Sequence, residues 1–229
     1  MRKGENVIEP KRITLFSGHY GSGKTNVAVN YSVYVKNLGK KVSIYDLDIV
    51  NPYFRTIDAK NTLDKYGVEV IVSKYAETNV DIPALNSASY KMLDDKTRYA
   101  IVDVGGDDRG ALALGRFADG IKNENNYDML FVVNKYRPET RDVESAIQIL
   151  QEIEFSGKIK FTGIVNDSNL GIETTEETVL NSLSFVSELS KKLGIPVKFT
   201  AVRADLAEKL KNTIENVLPI ELIKYGEWL

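Results

Sequence analysis

The residues whose types and spacing can do chemistry begin at Gly18, in the run GHYGSGKT. This fits GxxxxGK[ST], in which a glycine-rich turn wraps an anion with backbone N–H groups. Gly18, Gly21 and Gly23 let the backbone turn those N–H groups inward without side-chain collisions. Lys24 is placed to reach the β- and γ-phosphates of a nucleotide, and the Thr25 hydroxyl to bind Mg²⁺. His19, Tyr20 and Ser22 fill the turn, and Asn26 follows it; all belong to the expected phosphate-binding set. The context suits the motif. Arg12 to Ser17 (RITLFS) reads as a strand feeding the loop, and Asn26 to Leu38 as a helix leaving it. Val27, Ala28, Tyr31, Val35 and Leu38 share one face of that helix. Its N-terminus adds partial positive charge where the phosphates sit.

Three carboxylates follow strands and join the candidate site. Asp103 ends the apolar run YAIVDV and precedes Gly105 and Gly106. A carboxylate there can hold Mg²⁺ through a water while a glycine N–H approaches the γ-phosphate. Asp46 and Asp48 close the run KVSIYDLD. Two apart on an extended strand, they point the same way. One can support Mg²⁺ and the other orient the attacking water; Asp48, farther into the loop, is preferred for the water. The plainer alternative is a solvated acidic turn.

The elements that must position these groups alternate along the chain. Strands are expected at Lys41–Tyr45, Val68–Ser73, Tyr99–Val104, Met129–Val133, Lys160–Val165 and Pro196–Val202. Helices are expected at Pro83–Leu93, from near Glu139, and at Val179–Leu193, the last opened by a capping box at Thr174 and Glu177 and stopped by Gly194. Such alternation implies right-handed crossovers and an α/β fold: a mainly parallel sheet with helices on both faces, in three layers. No linker or repeat interrupts residues 1–229, so one domain is expected, with its ligand at the carboxyl ends of the strands.

Composition removes several function classes. There are 30 Lys and Arg against 32 Asp and Glu, a formal net charge of −2, so nothing in the balance calls for nucleic acid. Cysteine is absent, which excludes a thiol nucleophile and any cysteine-ligated iron–sulfur cluster. His19 is the only histidine, so a histidine-rich metal site and a Ser-His-Asp triad are excluded too. No signal-peptide core or apolar run of membrane-spanning length is present, and a cytoplasmic location is expected. The polar face of the Val179–Leu193 helix, rich in Ser and Glu, does not suit anionic lipid.

GHYGSGKT, the DLD of Asp46 to Asp48, and DVGGDD of Asp103 to Asp108 resemble the MinD/ParA group of P-loop ATPases, which includes the nitrogenase iron protein. The resemblance covers most of the chain. It implies a P-loop NTPase fold and an ATP hydrolase that uses Mg²⁺ and couples nucleotide state to a protein partner. By that similarity Lys24 and Thr25 bind phosphate and Mg²⁺, Asp48 positions the hydrolytic water and Asp103 supports Mg²⁺. Gly106 contacts the γ-phosphate, Asn166 reads the base, and Arg203 helps complete the base pocket. One departure matters. The dimerising branch of the group carries a lysine where this chain has His19. A neutral imidazole supplies no permanent charge to offset two facing triphosphates, so ATP-driven dimerisation of that kind is not expected.

The choice of base follows from donors and acceptors. Asn134-Lys135-Tyr136-Arg137 is superficially like the guanine-reading NKxD, but Arg137 offers only donors where guanine needs an acceptor. Asn166 both donates and accepts, which suits adenine; the adjacent Asp167 leaves a minor route to guanine. Pro52 to Arg55, just past the Asp46–Asp48 segment, is either a docking surface or ordinary packing. A competing function is a small-molecule kinase or ATP-dependent ligase on the same fold, in which an acceptor replaces water.

Overall fold

The computed structural model describes residues 8–48, 56–72, 87–106 and 108–222. Eight strands form one sheet: β1 (Ile13–Ser17), β2 (Val42–Leu47), β3 (Glu69–Val72), β4 (Tyr99–Val104), β5 (Tyr127–Val133), β6 (Gly163–Asn166), β7 (Val197–Arg203) and β8 (Val217–Ile220). Their spatial order is β3-β2-β4-β1-β5-β6-β7-β8, and every pairing is parallel. The central strands are buried along their length, which explains why they read as continuous apolar runs rather than alternating ones.

Helices α1 (Lys24–Asn37), α2 (Lys60–Tyr66), α3 (Ser87–Asp94), α4 (Asp108–Gly115), α5 (Ala118–Glu124), α6 (Val143–Gly157), α7 (Glu176–Leu180), α8 (Leu183–Leu193) and α9 (Ala204–Leu210) complete the described elements. One face of the sheet packs on α1 and α2 through Val27, Ala28, Tyr31, Val35 and Leu63. The other packs on α4, α5, α6 and α8 through Ala111, Leu114, Ile121, Leu150 and Leu189. The three-layer α/β arrangement expected from the alternation is the one observed. The chain leaves β1 towards β2 on one side and later reaches β5 on the other. The carboxyl end of β1 is therefore the point where strand order reverses, the place where open sheets of this kind form a crevice.

Several boundaries differ from the sequence reading, each for a local reason. Leu38 is not on the buried face; it caps α1 and is 40% exposed, with Gly39 at φ 79 turning the chain away. The helix expected from Glu139 begins at Val143, because the Asp142 side chain accepts from the Ser145 N–H and fixes the start there. The capping box falls one residue later than expected, on Thr175 and Thr178. The helix behind it is two, since the Ser182 hydroxyl donates to the Val179 carbonyl and the chain turns between α7 and α8. β8 was not anticipated because it contains Pro219, which lacks a ladder donor. It is tolerated on the sheet's edge. The start of the helix expected at Pro83 and the segment Pro52 to Arg55 lie outside the described residues.

Tyr31 joins α1 to the sheet below the glycine loop. Its ring stacks on Phe199 (centroids 5.7 Å apart) and meets Phe16 edge-on at 5.2 Å. Tyr31→Ala is expected to lower the unfolding free energy by about 3–5 kcal/mol, the cost of deleting a large buried ring. Leu38→Ala, at an exposed cap, should cost less than about 0.5 kcal/mol. Urea unfolding followed by circular dichroism measures both, and equal losses would mean the ring cluster does not anchor α1.

Candidate functional site

The register of the sheet assembles the acidic half of the site. Asp46 on β2 is the direct neighbour of Asp103 on β4, and Phe16 on β1 neighbours Asp103 on its other side. Neighbours in parallel strands share a face, and Phe16 belongs to the face covered by α1. Both carboxylates therefore lie on the side where α1 begins. Asp48, two residues beyond Asp46, keeps the same parity, and its N–H donates to the Asp46 Oδ1 at 3.0 Å.

The loop from Gly18 to Gly23 supplies the basic half. The Ser22 N–H donates to the His19 carbonyl at 3.0 Å, closing a turn whose third residue, Gly21, sits at φ 77. Only glycine holds that conformation without strain. Gly23, at φ 89, is the residue before α1, and the Val27 N–H donates to its carbonyl to open the helix. Gly23 also admits no side chain: a Cβ there would lie 1.8 Å from Asp167 Oδ2.

Lys24 then enters the acidic group. Its Nζ lies 3.1 Å from Asp48 Oδ2, with both side chains nearly buried. Burial works against the Lys24 ammonium, but Asp103, Asp48 and Asp46 overcome it and raise its pKa. Asp103 is pushed up to about 6, chiefly by burial; Lys24 and a hydrogen bond with Thr25 pull the other way. The Thr56 hydroxyl lies 3.4 Å from Asp103 Oδ2. Among the described residues three carboxylates thus face one ammonium, an excess of negative charge. Asp103 Oδ1 and the Ser22 Oγ are buried without a hydrogen-bond partner. Orphaned polar atoms beside a helix N-terminus and a net-negative centre fit a bound cation and anion together. No set of three or more carboxylate or imidazole groups among the described residues forms a metal cage by itself. That suits Mg²⁺, which is held by one or two carboxylates plus phosphate and water.

The remaining expected residues separate. Gly106 lies on the loop itself: a Cβ there would be 2.0 Å from the Gly18 carbonyl oxygen. His19 is partly exposed, with Nδ1 3.0 Å from the Tyr20 carbonyl and 3.8 Å from Glu139 Oε2. Tyr20 is exposed, and Asn26 is half-buried on the first turn of α1. Asn166 is buried at the end of β6; its amide donates to the Ser182 Oγ and accepts from the Ser168 N–H. These are its side-chain hydrogen bonds among the described residues. Arg203 is committed to Asp205 and to the carbonyls of Gly171 and Ile172, so it steadies the loop after β6. Asp107 lies outside the described residues.

Three residues in the site were not singled out for it by sequence reasoning. Thr56 reaches Asp103 from beyond the second strand, a contact that local sequence does not signal. Asp167 and Arg137 touch the glycine loop at Gly23 and Gly21. Both sit at strand ends, and that position was the available clue.

Residues 13–176 match the model of the CobQ/CobB/MinD/ParA nucleotide binding domain. No curated protein matches the chain. Among solved structures, FtsY from Mycoplasma mycoides is similar with a TM-score of 0.57 at 18% identity, covering 86% of this chain and 61% of that one. FtsY from Thermotoga maritima gives a TM-score of 0.57 at 17% identity, covering 87% and 64%. The signal recognition particle receptor FtsY from Elizabethkingia anophelis, in complex with GDP, gives 0.56 at 16% identity, covering 88% and 60%. At such identities the likeness is one of fold, and this chain spans about three-fifths of each of those proteins.

The state of Asp103 gives a test with a definite sign. An unfolded aspartate titrates near 3.9, and in the fold Asp103 titrates at about 6. Between these values the folded state binds the extra proton, so Asp103 makes stability fall as pH rises through that window. Asp103→Asn removes the effect. The melting temperature of Asp103→Asn relative to the unsubstituted protein, measured in chelator, should be higher at pH 7 than at pH 5. A difference that is flat or reversed between the two would contradict the buried, cation-starved state assigned to this carboxylate.

Proposed function

The chain belongs to the CobQ/CobB/MinD/ParA nucleotide-binding domain family, and on that premise we propose that it binds MgATP, hydrolyses it slowly and couples nucleotide state to a partner protein. The observation that carries the proposal is the meeting of Lys24 with Asp46, Asp48 and Asp103 beneath the glycine loop. Lys24 exchanges Asp48 for the β- and γ-phosphates when nucleotide arrives, trading one anionic partner for another. Thr25 and Asp103 would hold Mg²⁺, with Asp46 in support, and the ion would supply positive charge against the triphosphate.

Release from Lys24 frees Asp48 to orient a water in line with the γ-phosphate. Its neighbour Asp46 holds the Asp48 N–H, so the carboxylate turns on a fixed backbone. Gly106 lies against Gly18, and a Cβ on Gly110 of α4 would come within 2.4 Å of Gly105 Cα. A phosphate seated in the loop therefore presses on the segment after β4, which in turn bears on α4. That chain of backbone contacts is the route by which nucleotide state reaches the surface. Adenine is favoured because the Asn166 amide both donates and accepts, while Arg137 presents donors alone.

Asp48→Asn separates binding from chemistry. It keeps the size of the side chain but removes the charge that polarises water. MgATP affinity should be preserved while phosphate release falls by roughly 10²- to 10⁴-fold. A colorimetric phosphate assay beside a fluorescent-nucleotide titration reads both quantities. Unchanged turnover would remove Asp48 from the mechanism.

A further inference from the structure

Arg137 comes from the segment after β5, and its position is fixed before its side chain is considered. The Arg137 N–H donates to the Asn134 carbonyl, and its own carbonyl accepts from the Thr140 N–H. The Pro138 that follows holds Arg137 extended, at φ −95 and ψ 138. Asn134 is buried and ties this turn to the loop after β6: its Oδ1 accepts from the Tyr136 and Asn169 N–H groups, and its Nδ2 donates to the Asn169 carbonyl. The ends of β5 and β6 thus form one bonded platform next to the glycine loop.

Two charged side chains reach from that platform to the loop. Arg137 Nε donates to the Gly21 carbonyl at 2.9 Å, and the guanidinium covers the open side of Gly21. Asp167 is 1% exposed and lies against Gly23, with Oδ1 lacking a hydrogen-bond partner. Burial raises the Asp167 pKa well above normal, and the positive charge of Arg137 pulls it back. The middle of the loop is therefore held at two glycines, by the Arg137 guanidinium at Gly21 and the Asp167 carboxyl at Gly23.

We propose that Arg137 is a positioning residue of the phosphate loop: anchored on the Gly21 carbonyl, while Asp167 packs against Gly23, it keeps the loop shaped to receive a polyphosphate. The bond turns the Gly21 carbonyl towards the guanidinium, away from an incoming anion that it would repel. Pairing with an ionised donor makes it stronger than a neutral hydrogen bond. The remaining guanidinium nitrogens make no hydrogen bond among the described residues and lie next to the loop. They supply a permanent positive charge at Gly21, in a loop whose His19 has none when neutral.

This inference rests on the nucleotide-binding reading, and its test separates the two. Calorimetry with MgATP and MgADP, thermal melting, and amide hydrogen exchange of the ligand-free protein over residues 18–25 are measured for Arg137→Met, Arg137→Lys, Asp167→Asn and the Arg137→Met/Asp167→Asn double variant. Arg137→Met should weaken both nucleotides roughly tenfold and speed exchange in the loop, the size of effect expected for a charge-assisted hydrogen bond. Arg137→Lys, which can still donate to the Gly21 carbonyl, should recover part of the affinity. Adding Asp167→Asn to Arg137→Met removes the buried carboxyl whose Oδ1 lacks a hydrogen-bond partner, so it should restore melting temperature without restoring affinity. Affinity that rises and falls with melting temperature would overturn the proposal, as would unchanged loop exchange in Arg137→Met. If the unsubstituted protein binds neither nucleotide, the function proposed above fails. Hydrogen exchange alone then decides the role of Arg137.

Discussion

A lysine ammonium buried among three carboxylates is the interaction on which the site depends. Lys24 sits at the first position of α1, where the glycine loop delivers it beneath the loop and onto Asp48. Burial alone would favour its neutral form, yet the acidic neighbours keep it charged. Burial likewise pushes Asp103 up to about 6, against the pull of Lys24. In the proposed function, a polyphosphate with its divalent cation would answer both the ammonium and the carboxylates. The anion would satisfy Lys24 and the helix N-terminus, and the cation would satisfy the aspartates.

Parallel pairing makes this arrangement robust. Asp46 and Asp103 are side by side because β2 and β4 pair in that register, and a slip of one residue would turn either carboxylate to the opposite face. Glycines do the complementary work where the site is crowded. Gly106 approaches Gly18, and Gly23 approaches Asp167, at distances where any Cβ would collide. The same closeness that makes the site compact makes it sensitive to small movements. That is what a nucleotide-responsive element requires.

Much of this was legible in the sequence because it is local. GHYGSGKT between an apolar strand and an amphipathic helix carries its own context, and Asp46, Asp48 and Asp103 announce themselves by ending strands. The three-layer fold followed from the alternation of apolar runs and helical faces. What was missed depends on distant contacts or on a local rule overridden by position. β8 was hidden by Pro219, acceptable only because the strand is an edge. The break at Ser182 was hidden because α7 and α8 together keep a helical apolar spacing. The sequence reading considers Arg137 and Asp167 near the base and not as partners of the glycine loop. Their contacts with Gly21 and Gly23 depend on how β5 and β6 are placed beside β1, which no local pattern encodes.

The central claim is that Lys24 is the cation that receives the phosphates of MgATP. Isothermal titration of MgATP into the unsubstituted protein and into Lys24→Ala tests it most directly, with MgGTP as the comparison ligand. The account predicts saturable binding of MgATP, tighter than MgGTP, and a loss of about 10²-fold or more in affinity when the ammonium is removed. Near-unchanged affinity in Lys24→Ala, in a protein that remains folded, would contradict it.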